Sequence, residues 1–152
     1  MNKICSKCHI LKPTEQFRKL SHLNSDQLDT YCILCRNVYM KNYNKTRRNN
    51  DINFKILYNM RINLRSALKQ NAKIGKPLDY LGCSLDQFKE YIEKQFESGM
   101  TWENYGKNGW EFDHIKPIST FDLSNEIELR LACNYKNLQP LWGFDNRKKS
   151  NK

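Results

Sequence analysis

The sequence predicts an α+β chain with a small cysteine-stapled module at its N-terminus, a basic helical connector and a compact α+β core at its C-terminus. Three observations predict it. Two Cys-x2-Cys pairs, Cys5/Cys8 and Cys32/Cys35, lie near the start. Apolar residues recur at helical steps from Phe54 to Leu68. A strand-like run over 110–115 stops at Pro117 and is followed by two helix-like segments. The boundaries this implies are 1–44, 45–98 and 99–152.

Length and charge limit what such a chain does. It has 152 residues, enough for one domain or two very small ones. Small modules bury little apolar surface, so a structural metal helps to hold them. The 26 Lys and Arg against 16 Asp and Glu give a formal charge of +10, which favours a polyanion: nucleic acid first, an anionic membrane surface second. No apolar run approaches the roughly 20 residues that span a bilayer. The opening Met1-Asn2-Lys3-Ile4-Cys5 lacks the apolar core of a secretory signal. The expectation is an intracellular, non-secreted protein in a reducing compartment, where paired cysteines hold metal more often than they form disulfides.

In the first segment, four thiolates from Cys5, Cys8, Cys32 and Cys35 suit one tetrahedral structural Zn2+. Cys5-x-x-Cys8-His9 also fits a haem attachment pattern, but that leaves the second pair unexplained. His9 and His22 read as surface residues. Lys12 to Phe17 reads as a turn into a short strand or helical turn, with Phe17 and Leu20 covering the metal centre. Residues 23–26 read as a loop tip. After Cys35, Val38, Tyr39 and Tyr43 interleave with Arg36, Lys41 and Lys45 at helical spacing. The basic stretch 45–50 suits a solvated linker or an arm that follows phosphates.

In the second segment, Phe54, Leu57, Tyr58, Met60, Leu64 and Leu68 predict one amphipathic helix ending near Gly75. Arg61, Arg65, Lys69 and Lys73 recur every four residues and form a drifting stripe. Such a stripe suits a phosphate backbone or an ordinary wet helix face. Ser84 with Gln87 three residues on predicts a capping box, and Phe88, Tyr91, Ile92, Gln95 and Phe96 the buried stripe of that helix. Gly99 reads as a stop. Cys83 and Cys133 read as small buried apolar residues.

The last segment carries the chemistry. Asp113-His114 sets a carboxylate beside an imidazole, and Pro117 ends the strand they lie on. Successive strand residues point to opposite faces, so the strand must twist or finish at this pair if both are to serve one phosphate. Ser124 to Asn134 reads as a short helix with Ser124 as cap and Ile127 and Leu131 facing inward. Asn137-Leu138-Gln139-Pro140-Leu141 then leads into a final helix with Asn146, Arg147, Lys148 and Lys149. Phosphodiester hydrolysis needs a base for water and a hard cation for the phosphate oxygens. Asp113 and Asn146 offer one carboxylate and one amide oxygen for such a cation. Arg147, Lys148, Lys149 and Lys152 suit flanking phosphates.

At these residues the chain resembles the HNH endonuclease family. Asp113-His114 is similar to the family's acid–His pair, Asn137 to its middle Asn, and Asn146 to its last His or Asn, which makes this an H-N-N variant. The motif covers residues 110–150, with weaker similarity at Leu81-Gly82-Cys83-Ser84 and Gly99-Met100-Thr101-Trp102. The second pair of zinc cysteines that some members carry in this core is absent. The resemblance implies a treble-clef-like ββα-metal core and a metal-dependent DNA endonuclease or nickase. It implies His114 as general base, Asn137 as the residue that fixes the loop and orients the base, and one Mg2+ or Mn2+ held by Asp113 and Asn146. Products would carry 5′-phosphates. Double-stranded DNA is the expected partner, contacted by Arg61, Arg65, Lys69, Arg147, Lys148 and Lys149. One centre per strand is compatible with a homodimer, though no residue demands one. The competing readings are a non-catalytic zinc-containing nucleic-acid binder and a nuclease specific for junctions or structured RNA.

Overall fold

The computed structural model describes residues 1–20, 27–68, 75–106 and 108–149. His22, the loop tip at 23–26, Lys69, Lys73, Lys107 and Lys152 lie outside the described residues. The chain is α+β and falls into two compact units, Met1–Asp51 and Ile52–Lys152. The stretch 45–98, expected as a connector, is shared between them: its first residues finish a helix of unit 1, and its other helices belong to unit 2.

Unit 1 is two hairpins and a helix. Strands β1 (Asn2–Ile4) and β2 (Leu11–Pro13) pair antiparallel, with the first cysteine pair in the loop between them. A 3-10 turn, Thr14–Gln16, leads into β3 (Phe17–Lys19), which pairs antiparallel with β4 (Leu28–Cys32) through an irregular register. Helix α1 (Ile33–Asn50) starts directly after Cys32, so the second cysteine pair spans the end of β4 and the first turn of α1. This helix is longer than the spacing of its aromatics predicts, because no Gly or Pro interrupts 36–50. The core of unit 1 is slight: Cys5, Phe17 and Cys32 are its buried apolar residues among those described.

Unit 2 is built on aromatic packing. Helices α2 (Ile52–Ala67), α3 (Pro77–Leu81) and α4 (Leu85–Glu93) precede β5 (Trp110–His114). Helix α5 (Glu126–Cys133), β6 (Leu138–Trp142) and α6 (Gly143–Lys149) follow. Strands β5 and β6 pair antiparallel in unbroken register from Trp110↔Trp142 to His114↔Leu138. Trp110, Phe88, Ile56, Leu81 and Ile92 are the largest fully buried side chains here, each stabilising by about 1.5–3 kcal/mol through removal from water. Phe96, Trp102, Tyr105 and Phe112 pack edge-on or tilted around Trp110 at centroid distances of 4.9 to 5.4 Å. The indole of Trp110 donates to the Thr101 carbonyl at 2.7 Å, so no buried polar atom is lost.

The local signals explain several element ends. Ser84 Oγ accepts from Gln87 N at 3.2 Å and Gln87 Oε1 from Ser84 N at 3.0 Å, the reciprocal box the sequence predicts. Gly82 closes α3 at φ 79°, a left-handed position that suits glycine. At Gly109 a Cβ would lie 1.8 Å from the Asn104 carbonyl oxygen, so only glycine fits before β5.

Three expectations need correction. On α2 the buried residues are Ile56 and Leu64, with Ile52 and Met60 beside them; Met60 and Leu64 are as expected, whereas Ile52 and Ile56 take the places expected of Phe54 and Leu57. On α5 the cap is Asn125, whose Oδ1 accepts from Ile127 N and Glu128 N, because Ser124 Oγ is spent on Asp122 at 2.7 Å. Leu129 and Ala132 therefore face inward, while Ile127 and Leu131 stand 72% and 56% exposed. Cys83 and Cys133 are half-buried free thiols rather than fully buried ones, and burial pushes the Cys133 thiol up to about 11.

Candidate functional site

Two constellations stand out, one in each unit. In unit 1 the four sulfurs of Cys5, Cys8, Cys32 and Cys35 all lie within 4.8 Å of one another. A tetrahedral site with Zn–S near 2.3 Å needs sulfurs about 3.8 Å apart, so this cluster closes on a metal by small movements. The backbone prepares it. Amide groups of Lys7 and Cys32 donate to Cys5 Sγ at 3.4 and 3.2 Å, and Lys12 Nζ reaches Cys32 Sγ at 3.5 Å. Burial raises the Cys5 thiol, but amide donors from Cys32, Cys8 and Lys7 outweigh it and bring it down to about 6. The cluster can hold a metal ion such as zinc. His9 is not needed as a ligand. It takes a left-handed φ of 58°, and its amide closes the knuckle on the Cys5 carbonyl at 2.8 Å.

In unit 2 the second constellation is set by the period of β5. Trp110, Phe112 and His114 share one face; Glu111 and Asp113 share the other, toward α6. Strand β5 finishes at His114, so the acid–imidazole pair sits at a strand end. Asp113 is buried at 9% exposure; its Oδ2 accepts from Gln139 Nε2 at 2.8 Å and from Lys149 Nζ at 2.6 Å. Lys149 also donates to the His114 carbonyl at 2.8 Å. Lys149, expected along phosphates, thus bridges the acid and the strand end. Asn146 Nδ2 approaches Glu111 Oε2 at 3.5 Å. It meets Glu111 rather than Asp113.

His114 lines a small cavity of about 60 Å3 with Met60, Leu64, Leu81, Ile118 and Leu129. Burial lowers its pKa, the Asp113 charge opposes that, and Lys149 adds to the lowering; the net shift is downward. The imidazole is therefore neutral at pH 7. A neutral imidazole has one unprotonated ring nitrogen that can accept a proton.

Asn137 ties down the segment that follows His114. Its Oδ1 accepts from Lys116 N at 2.8 Å, and its Nδ2 donates to the carbonyls of Lys116 at 3.1 Å and Ala132 at 3.0 Å. Its own carbonyl accepts from Ile115 N at 2.9 Å. A single carboxamide thus locks the exit of β5 to the end of α5.

Arg61 and Arg65 are exposed on α2 and line an open depression with Lys76 and Asp79. Arg147 and Lys148 lie on α6. Sequence reasoning passed over Glu111 and Gln139. Both were within reach of it: Glu111 stands two residues before Asp113 on the same strand face, and Gln139 is the cross-strand partner of Asp113.

The chain is similar to proteins of Acanthamoeba polyphaga mimivirus. "Uncharacterized protein L426" is 36% identical over 108 residues, covering 71% of this chain and 47% of that protein. "Uncharacterized protein L246" is 28% identical over 185 residues, covering 91% of this chain and 80% of that protein. The chain spans about half the length of the first of these. No family model matches it, and no solved structure matches it. Among the described residues no helix is long and apolar enough to cross a membrane.

Proposed function

We propose that this protein is a metal-dependent DNA endonuclease or nickase of the HNH type, with a zinc-stapled N-terminal module. The observation that carries this reading is the β5–β6–α6 unit, which gathers Glu111, Asp113, Asn146 and Lys149 on one face of a hairpin whose end bears a neutral His114. The donors fit a hard cation: two carboxylates and a carboxamide oxygen. The Asp113 carboxylate and the His114 carbonyl already accept one cationic group, the Lys149 ammonium. Asp113 and Asn146, with Glu111 beside them, would hold Mg2+ or Mn2+, which supplies Lewis-acid stabilisation of charge on the phosphate when bound.

The chain's own residues do the rest. His114 takes the proton of an attacking water on its unprotonated ring nitrogen, a role that requires the neutral form. Asn137 holds the Ile115–Lys116 backbone and so fixes where the imidazole stands. Arg147 and Lys148 would hold flanking phosphates, and Arg61 and Arg65 would offer a second basic surface. The four-cysteine cluster holds a structural Zn2+ that organises unit 1.

The test is plasmid nicking with Mg2+ or Mn2+ against an EDTA control. His114→Ala is expected to slow cleavage by about 10²- to 10⁴-fold, the usual contribution of a general base, while duplex binding stays within about twofold. Nicking by His114→Ala at the wild-type rate would remove the assignment. Asn146→Ala is expected to regain part of its activity at raised Mg2+ or in Mn2+; a variant insensitive to metal concentration takes Asn146 out of the site.

A further inference from the structure

Helix α1 carries a surface that the proposed chemistry does not use. Leu34, Val38, Tyr39 and Tyr43 stand 68%, 61%, 45% and 43% exposed. With Asn42 and Thr46 they line one open groove of about 530 Å3 that begins at Lys7 of the first cysteine knuckle. At 100° per residue these side chains cover one half of the helix circumference. Lys41, Lys45 and Arg48 border that half on one side, Arg36 and Arg47 on the other. The helix has no acidic residue in any of its 18 positions.

The tyrosines are not loose. Their rings stack at 6.3 Å with planes only 17° apart. Tyr31 abuts Tyr39 edge-on at 5.9 Å, the Arg36 guanidinium lies 5.6 Å from the Tyr39 centroid, and Arg47 donates to Tyr43 Oη at 3.2 Å. They form a half-exposed pair of stacked rings between two rows of cations.

We propose that this face of α1 binds an unpaired nucleic-acid strand, with bases and sugars against the apolar half and phosphates along its cationic borders. The inference rests on nucleic acid being the protein's partner. Charge decides among occupants. A second copy would set the cations of one helix against those of the other, with Arg36 paired to Asp29 and Arg47 to Asp51 but no acid within either helix to meet Lys41 and Lys45. Duplex DNA would satisfy the cations but hides its base faces inside the stack, which leaves Leu34, Val38 and the two rings without a partner. An unpaired strand offers flat apolar faces and a phosphate row together, and every base has a face that stacks on tyrosine. For a strand-cleaving enzyme, such a surface directs action to DNA that is frayed, gapped or unwound near the cut.

The test uses the full chain with one equivalent of zinc and no other divalent metal. Anisotropy follows binding to a labelled single strand of about 20 nucleotides and to the same strand annealed to its complement. The double variant Tyr39→Ala/Tyr43→Ala is expected to lose about 5- to 100-fold in single-strand affinity, with duplex affinity changed less than about twofold. Tyr39→Phe/Tyr43→Phe is expected to keep wild-type binding, and Leu34→Ser/Val38→Ser to weaken the single strand selectively. Zinc content and far-ultraviolet helicity show that each variant is folded. Equal loss on both substrates by a folded variant, or no loss on the single strand, overturns the proposal. So does displacement of the strand by polyglutamate that is indifferent to the tyrosines, which would mark an acidic-protein surface. In these cases intact duplex binding by the wild type leaves the nuclease reading standing; binding to neither nucleic acid removes both.

Discussion

The two units are held together by different means. Unit 1 has Phe17 and two cysteines as its buried apolar residues among those described, and its remaining organisation converges on four sulfurs. Unit 2 buries Trp110, Phe88, Ile56, Leu81 and Ile92 in one cluster and packs further aromatics around them, Phe96, Trp102, Tyr105 and Phe112 among them. A 51-residue unit with so little apolar burial gains little driving force to offset its chain entropy, and its four-sulfur cluster could hold a metal that supplies the rest. Unit 2 has no such need. A metal at the four cysteines would give unit 1 the support that aromatic packing gives unit 2, and removing either support should affect its own unit.

Metal removal is the strongest way to break the comparison. All three tryptophans, Trp102, Trp110 and Trp142, lie in unit 2, whereas α1 supplies much of the helix of unit 1. A strong chelator, or Cys32→Ser, is expected to abolish folding of unit 1, since structural zinc contributes about 10–16 kcal/mol in comparable small modules. Far-ultraviolet helicity should fall while the tryptophan-detected melt persists. Loss of both signals at one midpoint would show that the units are not supported separately.

The converse lesion is Gly109→Ala. A Cβ there meets backbone rather than a flexible side chain, so the turn before β5 must move. The expected cost is about 3 kcal/mol or more, read as a lowered tryptophan-detected Tm with zinc content unchanged. A Tm within a degree or two of wild type would mean that the 104–109 turn adapts freely.

A smaller effect follows from His114, whose folded pKa lies below its ordinary 6.5. Below 6.5 the unfolded chain binds the proton more readily than the folded one. Stability from the neutral imidazole is complete above 6.5 and is lost as pH falls through the lower folded value. Unit 2 should therefore lose stability on acidification below 6.5 by an amount that His114→Gln abolishes, and the acid limb of cleavage should also lie below 6.5. A limb above 6.5 would assign the titration to another group.

The smallest change concerns His9. Its φ of 58° costs a non-glycine residue about 1 kcal/mol, so His9→Gly should stabilise unit 1 by up to about that amount. Chelator titration followed by helicity would detect it, and a loss of zinc affinity would instead make His9 part of the metal centre.

The parts of this architecture that follow from short-range chemistry were legible in the sequence. The cysteine pairs announced a four-sulfur cluster because their spacing is itself the ligand geometry. Ser84 and Gln87 announced their capping box, and Pro117 the end of the strand. What failed to show depends on partners distant in the chain. Ile127 and Leu131 looked like an inward stripe, but eight residues offer two plausible faces, and Asp122 took the hydroxyl of Ser124, which had been expected as the cap. The Glu111–Asn146 approach and the bridging by Lys149 needed the phase of α6 over β5, which no local pattern encodes.

That phase has a consequence for how the chain can vary. Helix α6 begins at the residue after β6 ends, and the amide of Gly143 is fastened to the Gly109 carbonyl at 2.9 Å. No slack separates strand from helix. One inserted residue between Trp142 and Gly143 would turn the helix by about 100° and swing both Asn146 and Lys149 away from the acidic side of the hairpin. Evolution and engineering can therefore exchange side chains along this joint more readily than they can alter its length.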